Sequence, residues 1–132
     1  MKFNHYYKEL GLKPTDFPFE KYKDIADRSK EDEEGFSSCE FWDLDYSLAL
    51  HIYGRLRYFQ DNCLYAHPGY MEPEKWEEII KKIIKGFKLY LIKEEKDWTL
   101  PEQEQKKLSK NREKQINYAF RLLIKYWGEF WY

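Results

Sequence analysis

Glycine and proline are scarce, at 6 and 5 in 132 residues, which argues against a turn-rich β-sandwich. Cysteine is scarcer still. Cys39 and Cys63 cannot make a disulfide framework, and without an export signal both are expected as reduced thiols. No apolar run reaches the length of a membrane span, and the segment after Met1 lacks the apolar centre of a signal peptide. Neither sign of charge dominates. Lys+Arg is 23 and Asp+Glu is 24, a net charge of -1, which excludes a chain basic all over of the kind that binds nucleic acid generally. Gly-rich phosphate loops, a serine elbow and Cys-x-x-Cys knuckles are absent too.

Aromatic residues, by contrast, are abundant: 12 Tyr, 9 Phe and 5 Trp, in a chain that is 36% charged with a mean hydropathy of -0.90. Disordered chains carry the charge without the rings, so this one is expected to fold. A 16.4 kDa chain can bury roughly two-thirds of its unfolded surface, enough for a core. The expected fold is all-α: a small bundle of three principal helices with an irregular N-terminal arm. The whole chain, 1–132, reads as one helical domain, with an arm and acidic loop over 1–35 and the helical core over 36–132.

In the arm, the two prolines of Lys13-Pro14-Thr15-Asp16-Phe17-Pro18 favour extended backbone, and Glu20 to Arg28 could make a short helix. Glu31-Asp32-Glu33-Glu34 then reads as a solvated acidic run. The first principal helix is predicted near 43–61. Ser37 and Glu40 have capping-box spacing, and Asp43 is a second candidate cap. Leu44, Leu48, Ile52, Leu56 and Phe59 form one stripe, with Tyr46, Leu50 and Tyr53 on much of the other side. Asp45 projects into that stripe, which predicts either a capping role or a basic partner such as Arg112 or Arg121.

The second helix is predicted near 73–95. Pro73 opens it, and Trp76, Ile79, Ile80, Ile83, Ile84, Phe87, Tyr90 and Leu91 fall within an arc of roughly 140°. Lys81, Lys82, Lys85 and Lys88 lie outside that arc, as a solvated face would. The third is predicted near 100–131 from the Thr99/Glu102 capping-box spacing. It is nearly all polar to Gln115, either an exposed helical extension or a linker. Ile116, Ala119, Phe120, Leu123, Trp127 and Phe130 then share one face. The expected core is Trp76, Ile80, Ile83, Phe87, Leu48, Ile52, Phe120, Leu123 and Trp127.

Cys39, His51, Cys63 and His67 are the residues that suggest a metal site or a Cys–His nucleophile, but no ligand pair has close spacing and no oxyanion loop is recognisable. No metal, cofactor or catalytic residue is therefore assigned. Two clusters combine rings with cations, the pairing that binding hot spots use to stack on bases and fork onto phosphates. One is Arg55 and Arg57 with His51, Tyr53 and Tyr58; the other is Lys125, Tyr126, Trp127 and Trp131 with Arg121. Tyr53, Arg55, Arg57, Arg121, Lys125 and Trp131 are the candidate ligand-binding residues. Polar helix faces with local ion pairs give the same pattern, so neither spacing names a ligand.

Glu40-Phe41-Trp42-Asp43-Leu44-Asp45-Tyr46-Ser47-Leu48-Ala49, running on to Arg55-Leu56-Arg57-Tyr58-Phe59, resembles small accessory proteins encoded by tailed bacteriophages. Their pattern is a Trp-x-Leu-Asp helix ending in an Arg-Leu segment, a His-Pro turn, a Glu-x-x-Trp helix and an aromatic C-terminal helix. The counterparts here are His67-Pro68, Pro73 to Ile80, and Tyr118 to Trp131, so the likeness covers residues 36–132. Where a proline often precedes the Arg-Leu pair, this chain has Gly54. The resemblance transfers no activity. It implies a phage protein in a bacterial host cytoplasm, where accessory proteins commonly antagonise host defences.

The expected function is non-enzymatic binding: a counter-defence protein that sequesters a nucleotide immune signal or blocks a host defence protein. A structural or assembly protein, and an unrecognised enzyme or metal protein, are the alternatives. The expected partners are an anionic nucleotide or a host protein, without a membrane and without general nucleic-acid binding. A homo-oligomer, first a dimer, is expected from the two-sided first helix and the terminal Tyr126-Trp127-Gly128-Glu129-Phe130-Trp131-Tyr132.

Overall fold

The computed structural model describes residues 3–14, 43–92 and 97–130. Among them are four α-helices and no strand: α1 (His5–Lys8), α2 (Leu44–Asn62), α3 (Pro73–Leu91) and α4 (Glu102–Lys125). A 3-10 turn, Trp127–Glu129, succeeds α4. None of the described helices is long and apolar enough to cross a membrane. The expected helix at 20–28, the acidic run, the Ser37/Glu40 cap, Cys39, residues 93–95 and Trp131 lie outside the described residues.

The chain divides into two compact units, Met1–Gly54 and Arg55–Tyr132. In the first, the start of the N-terminal arm is a single helical turn. The Asn4 side chain caps it by accepting from the Tyr6 amide at 3.0 Å. Tyr7, 1% exposed, lies over Gly54 of α2, where an added Cβ would come within 2.8 Å of its hydroxyl oxygen. The Tyr53 hydroxyl donates to Glu9 Oε2 at 3.0 Å.

The buried side of α2 keeps Leu56 of the expected stripe but leaves Leu48 and Ile52 out of the core. Ala49, Leu50, Tyr53 and Leu56 are buried, whereas Leu48 is 53% exposed and Ile52 only half-buried. Both sides of α2 are apolar enough to make a core. The side carrying Gly54 is the one a tyrosine can approach closely.

The second unit is built on an antiparallel pair, α3 and α4. Pro73 occupies the first turn of α3, where its missing N–H costs nothing, and Glu74 complements the helix dipole. Trp76, Ile79, Ile80, Ile83, Ile84, Phe87 and Leu91 are buried along one face, as their spacing predicts. Facing them, α4 buries Ile116, Ala119, Leu122 and Leu123. Phe120, half-buried, sets its ring 4.9 Å from Phe87 and 5.7 Å from Tyr90.

The polar stretch from Glu102 to Gln115 is helix, so α4 starts where expected, but the Thr99/Glu102 capping box does not form: Pro101 is the N-cap residue and no side chain caps the helix. Thr99 gives its hydroxyl to Asp97 Oδ1 at 2.5 Å and its amide to the same oxygen at 3.0 Å. Those bonds hold the Asp97 carboxyl below its ordinary value, the hydroxyl contributing most. Their stabilisation is therefore present above that ordinary value and is lost as pH falls through the lowered one. Gln105 of α4 reaches back instead, donating to the Asp97 and Leu100 carbonyls, both at 3.0 Å.

At its other end α4 stops at Lys125 rather than running to the terminus, and the 3-10 turn changes the helical phase of residues 127–130. Phe130 comes back onto Trp76, with centroids 5.3 Å apart, while Trp127 is left 66% exposed rather than in the core.

Arg112 closes the far end of α3. Its Nη2 donates to the Leu89 carbonyl and to the Ile92 carbonyl, the latter at 2.8 Å. The last carbonyls of a helix have no partner of their own, so one guanidinium from α4 satisfies two of them. Asp45, expected either to cap or to take a basic partner, is exposed in the first turn of α2. Arg112→Ala should cost about 1–3 kcal/mol in urea unfolding, the penalty for charge-assisted bonds lost at part-buried carbonyls. An unchanged midpoint would show that water caps α3 equally well.

Candidate functional site

The packing of α4 against α3 through Ile116, Ala119 and Leu123 determines which side of α4 meets solvent. Lys106, Lys107, Lys110, Lys114, Arg121 and Lys125 project there, and all six are exposed. At 100° per residue they fall within an arc of roughly 100°, opposite Ala119, and extend over roughly 29 Å of helix. No carboxylate of α4 falls inside that arc. Glu102 and Glu113 border it on one side, and Glu104 lies beyond its other edge.

Gln103, Lys106, Lys107, Lys110, Asn111 and Lys114 line a shallow open groove along the first half of the row. Tyr118, 47% exposed, flanks the gap between Lys114 and Arg121. Trp127, in the 3-10 turn two residues after Lys125, is 66% exposed, and Ile124 is 74% exposed. The Lys125 ammonium lies 5.3 Å from the Tyr126 ring centroid, a cation–π distance.

Like charges recur along this row. Lys106 with Lys110, Lys110 with Lys114, and Arg121 with Lys125 are like charges at i,i+4, and Lys107 with Lys110 is one at i,i+3. Each pair disfavours the helix by a few tenths of a kcal/mol, about 1 kcal/mol together. Three carboxylates offset most of this: Glu102, whose Oε1 is 3.3 Å from Lys106 Nζ, and Glu104 and Glu113, at i,i+3 spacing from Lys107 and Lys110 respectively. The lysines of α3 differ: acids Glu74, Glu77 and Glu78 share their side, and Glu78 pairs with Lys82 at 3.3 Å.

The six residues expected to bind ligand separate in the structure. Tyr53 is 1% exposed with its hydroxyl bonded to Glu9, so its ring face is not open to a ligand. Arg57 donates through Nη1 to Gln60 at 2.5 Å and to Asp61 at 3.1 Å, a local ion pair on α2. Arg55 is exposed, and at 100° per residue it projects roughly 160° away from both Tyr53 and Arg57. Three residues close in sequence thus do not converge. Arg121 and Lys125 do share a face, the cationic face of α4; Trp131 lies outside the described residues.

Comparison with known protein families, curated proteins and solved structures finds no match to this chain.

Among the described residues, no group of three His, Cys, Asp or Glu side chains could hold a metal ion. Cys63 is a buried free thiol whose amide donates to the Phe59 carbonyl. His67 Nδ1 lies 3.0 Å from the Pro68 carbonyl oxygen.

Lys106, Lys107, Lys110 and Lys114 are the residues that sequence reading passed over. Their signal was available: once residues 102–125 form one helix, these lysines fall in line with Arg121 and Lys125. Charge totals taken along the chain conceal that alignment, because Glu102, Glu104 and Glu113 cancel half of it on paper while projecting elsewhere.

Proposed function

We propose that this chain is a non-enzymatic accessory binding protein that holds a phosphate-bearing ligand against the outer face of α4. One observation carries the reading: six exposed cations of that face share an arc free of carboxylates. Cations in line with an exposed ring suit phosphate and base together. Arg121 and Lys125, with Tyr118 flanking them and the exposed Trp127 following in the next turn, form the part of the face best suited to a single nucleotide. The bacteriophage resemblance of residues 36–132 gives this binding a purpose, counter-defence in a bacterial cytoplasm by sequestration of a nucleotide immune signal.

A melting-temperature screen against cyclic dinucleotides and ADP-ribose derivatives tests it. A ligand at a hundredfold excess over its Kd adds about 2.7 kcal/mol of stability, which amounts to several degrees for a chain this small. The shift should disappear in an Arg121→Glu/Lys125→Glu variant. A panel that leaves the melting temperature unmoved would discard the nucleotide signal.

A further inference from the structure

The cationic row is much longer than a mononucleotide needs. Arg121 and Lys125 alone could hold one phosphate group, yet four lysines continue the same line towards the start of α4. We propose that the outer face of α4 is a track for single-stranded nucleic acid, with Lys106, Lys107, Lys110, Lys114, Arg121 and Lys125 tracking the phosphates and Tyr118 and Trp127 stacking on bases. This rests on the reading of α4 as a phosphate-binding face and specifies its ligand.

Three features select a strand over other polyanions. A row of roughly 29 Å of helix with one sign of charge complements a repeating phosphate backbone rather than one anionic group. The exposed rings Tyr118 and Trp127 favour a single strand over a duplex, which hides its base faces in the stack. An acidic protein would be expected to meet an apolar centre rimmed by charge. Here the cations run down the middle of the face, with Ile124 and Trp127 at one end. The net charge of -1 is no obstacle, because the segregation of charge on one helix face sets the local field.

Binding of a labelled oligothymidylate of about a dozen nucleotides, measured by fluorescence anisotropy, tests the proposal. Six phosphate contacts on a single strand predict a slope of log K against log[salt] near about -4, a loss of about 300-fold between about 50 and 200 mM salt. Lys110→Glu/Lys114→Glu should lower affinity at least about tenfold and bring the slope to about -3. That variant keeps the helix, because the new glutamate at position 110 gains Lys106 and Lys107 one turn away, and positions 110 and 114 remain a like-charged pair as in the parent.

Trp127→Ala should lower affinity about tenfold and leave the slope alone, since stacking releases no counterions. Lys85→Glu/Lys88→Glu on α3 should change neither affinity nor slope. Absence of binding at about 50 mM salt would overturn the proposal. So would a slope indifferent to Lys110→Glu/Lys114→Glu, or polyglutamate competing as well as the oligonucleotide. A melting shift with mononucleotides but no strand binding would overturn it while preserving the shorter phosphate site. Strand binding without any mononucleotide shift would support it and remove the nucleotide-signal reading.

Discussion

Trp76→Ala should cost about 3–5 kcal/mol, the range for emptying a buried aromatic site. Trp76 is 1% exposed near the start of α3 and holds the turn after α4 against it. Its ring is 5.8 Å from Tyr126, edge to face at 74°, and 5.3 Å from Phe130. Phe130 in turn meets Phe59 at 5.7 Å. Each such pair adds about 0.5–1.5 kcal/mol beyond the area it buries, so alanine removes two pairs and leaves a third without support.

Trp76→Phe separates packing from polarity. The indole Nε1 is buried without a hydrogen-bond partner among the described residues, a penalty of about 1–3 kcal/mol that phenylalanine abolishes. The smaller ring loses some contact, and the two effects should leave Trp76→Phe within about 1 kcal/mol of the parent. Urea unfolding monitored by far-ultraviolet circular dichroism reads both without relying on tryptophan emission. A Trp76→Ala midpoint equal to the parent's would mean that the ring cluster does not hold the C-terminal turn.

The elements most legible in the sequence were those with one possible buried face. Trp76, Ile80, Ile83 and Phe87 could not be placed any other way, because the opposite side of α3 is lysine and glutamate. Helix α2 has two apolar sides, so periodicity gave its existence and not its phase. The choice fell to Tyr7 and Gly54, residues remote in sequence whose close approach no pattern announces. Capping was less legible again. Thr99 and Glu102 have the right spacing, but α4 begins at Glu102 with Pro101 as its N-cap residue, two positions after the threonine. Arg112 at the end of α3 is a tertiary cap, which no local motif encodes.

The candidate site divides along the same line. Proximity in sequence suggested that Tyr53, Arg55 and Arg57 act together, yet on a helix, residues two apart face opposite ways. Arg121 and Lys125, one turn apart, stay together and are exposed. The lysines before them became part of the same face only when residues 102–115 proved to be helix, since a linker would have given them no common side.

Gly86→Leu should be among the most damaging substitutions available, at about 3 kcal/mol or more, because α3 and α4 nearly touch there. An ideal Cβ on Gly86 would sit 2.1 Å from the Ala119 Cβ and 3.0 Å from the Gln115 carbonyl oxygen. No rotamer relieves a clash with a methyl and a backbone atom; the helices must separate, loosening Phe87 against Phe120 as they do. Even Gly86→Ala should destabilise, by about 1–2 kcal/mol, although alanine favours a helix over glycine by about 1 kcal/mol. That sign is the informative part, since an open helical position would gain from the same change. Ala119→Gly alone should cost about 1 kcal/mol in helix propensity. Combined with Gly86→Ala it restores the missing space, so the double variant should be about 1 kcal/mol more stable than the sum of the singles predicts. Additive losses would show that the two positions do not share the contact, and a stabilised Gly86→Ala would mean that the helices stand further apart.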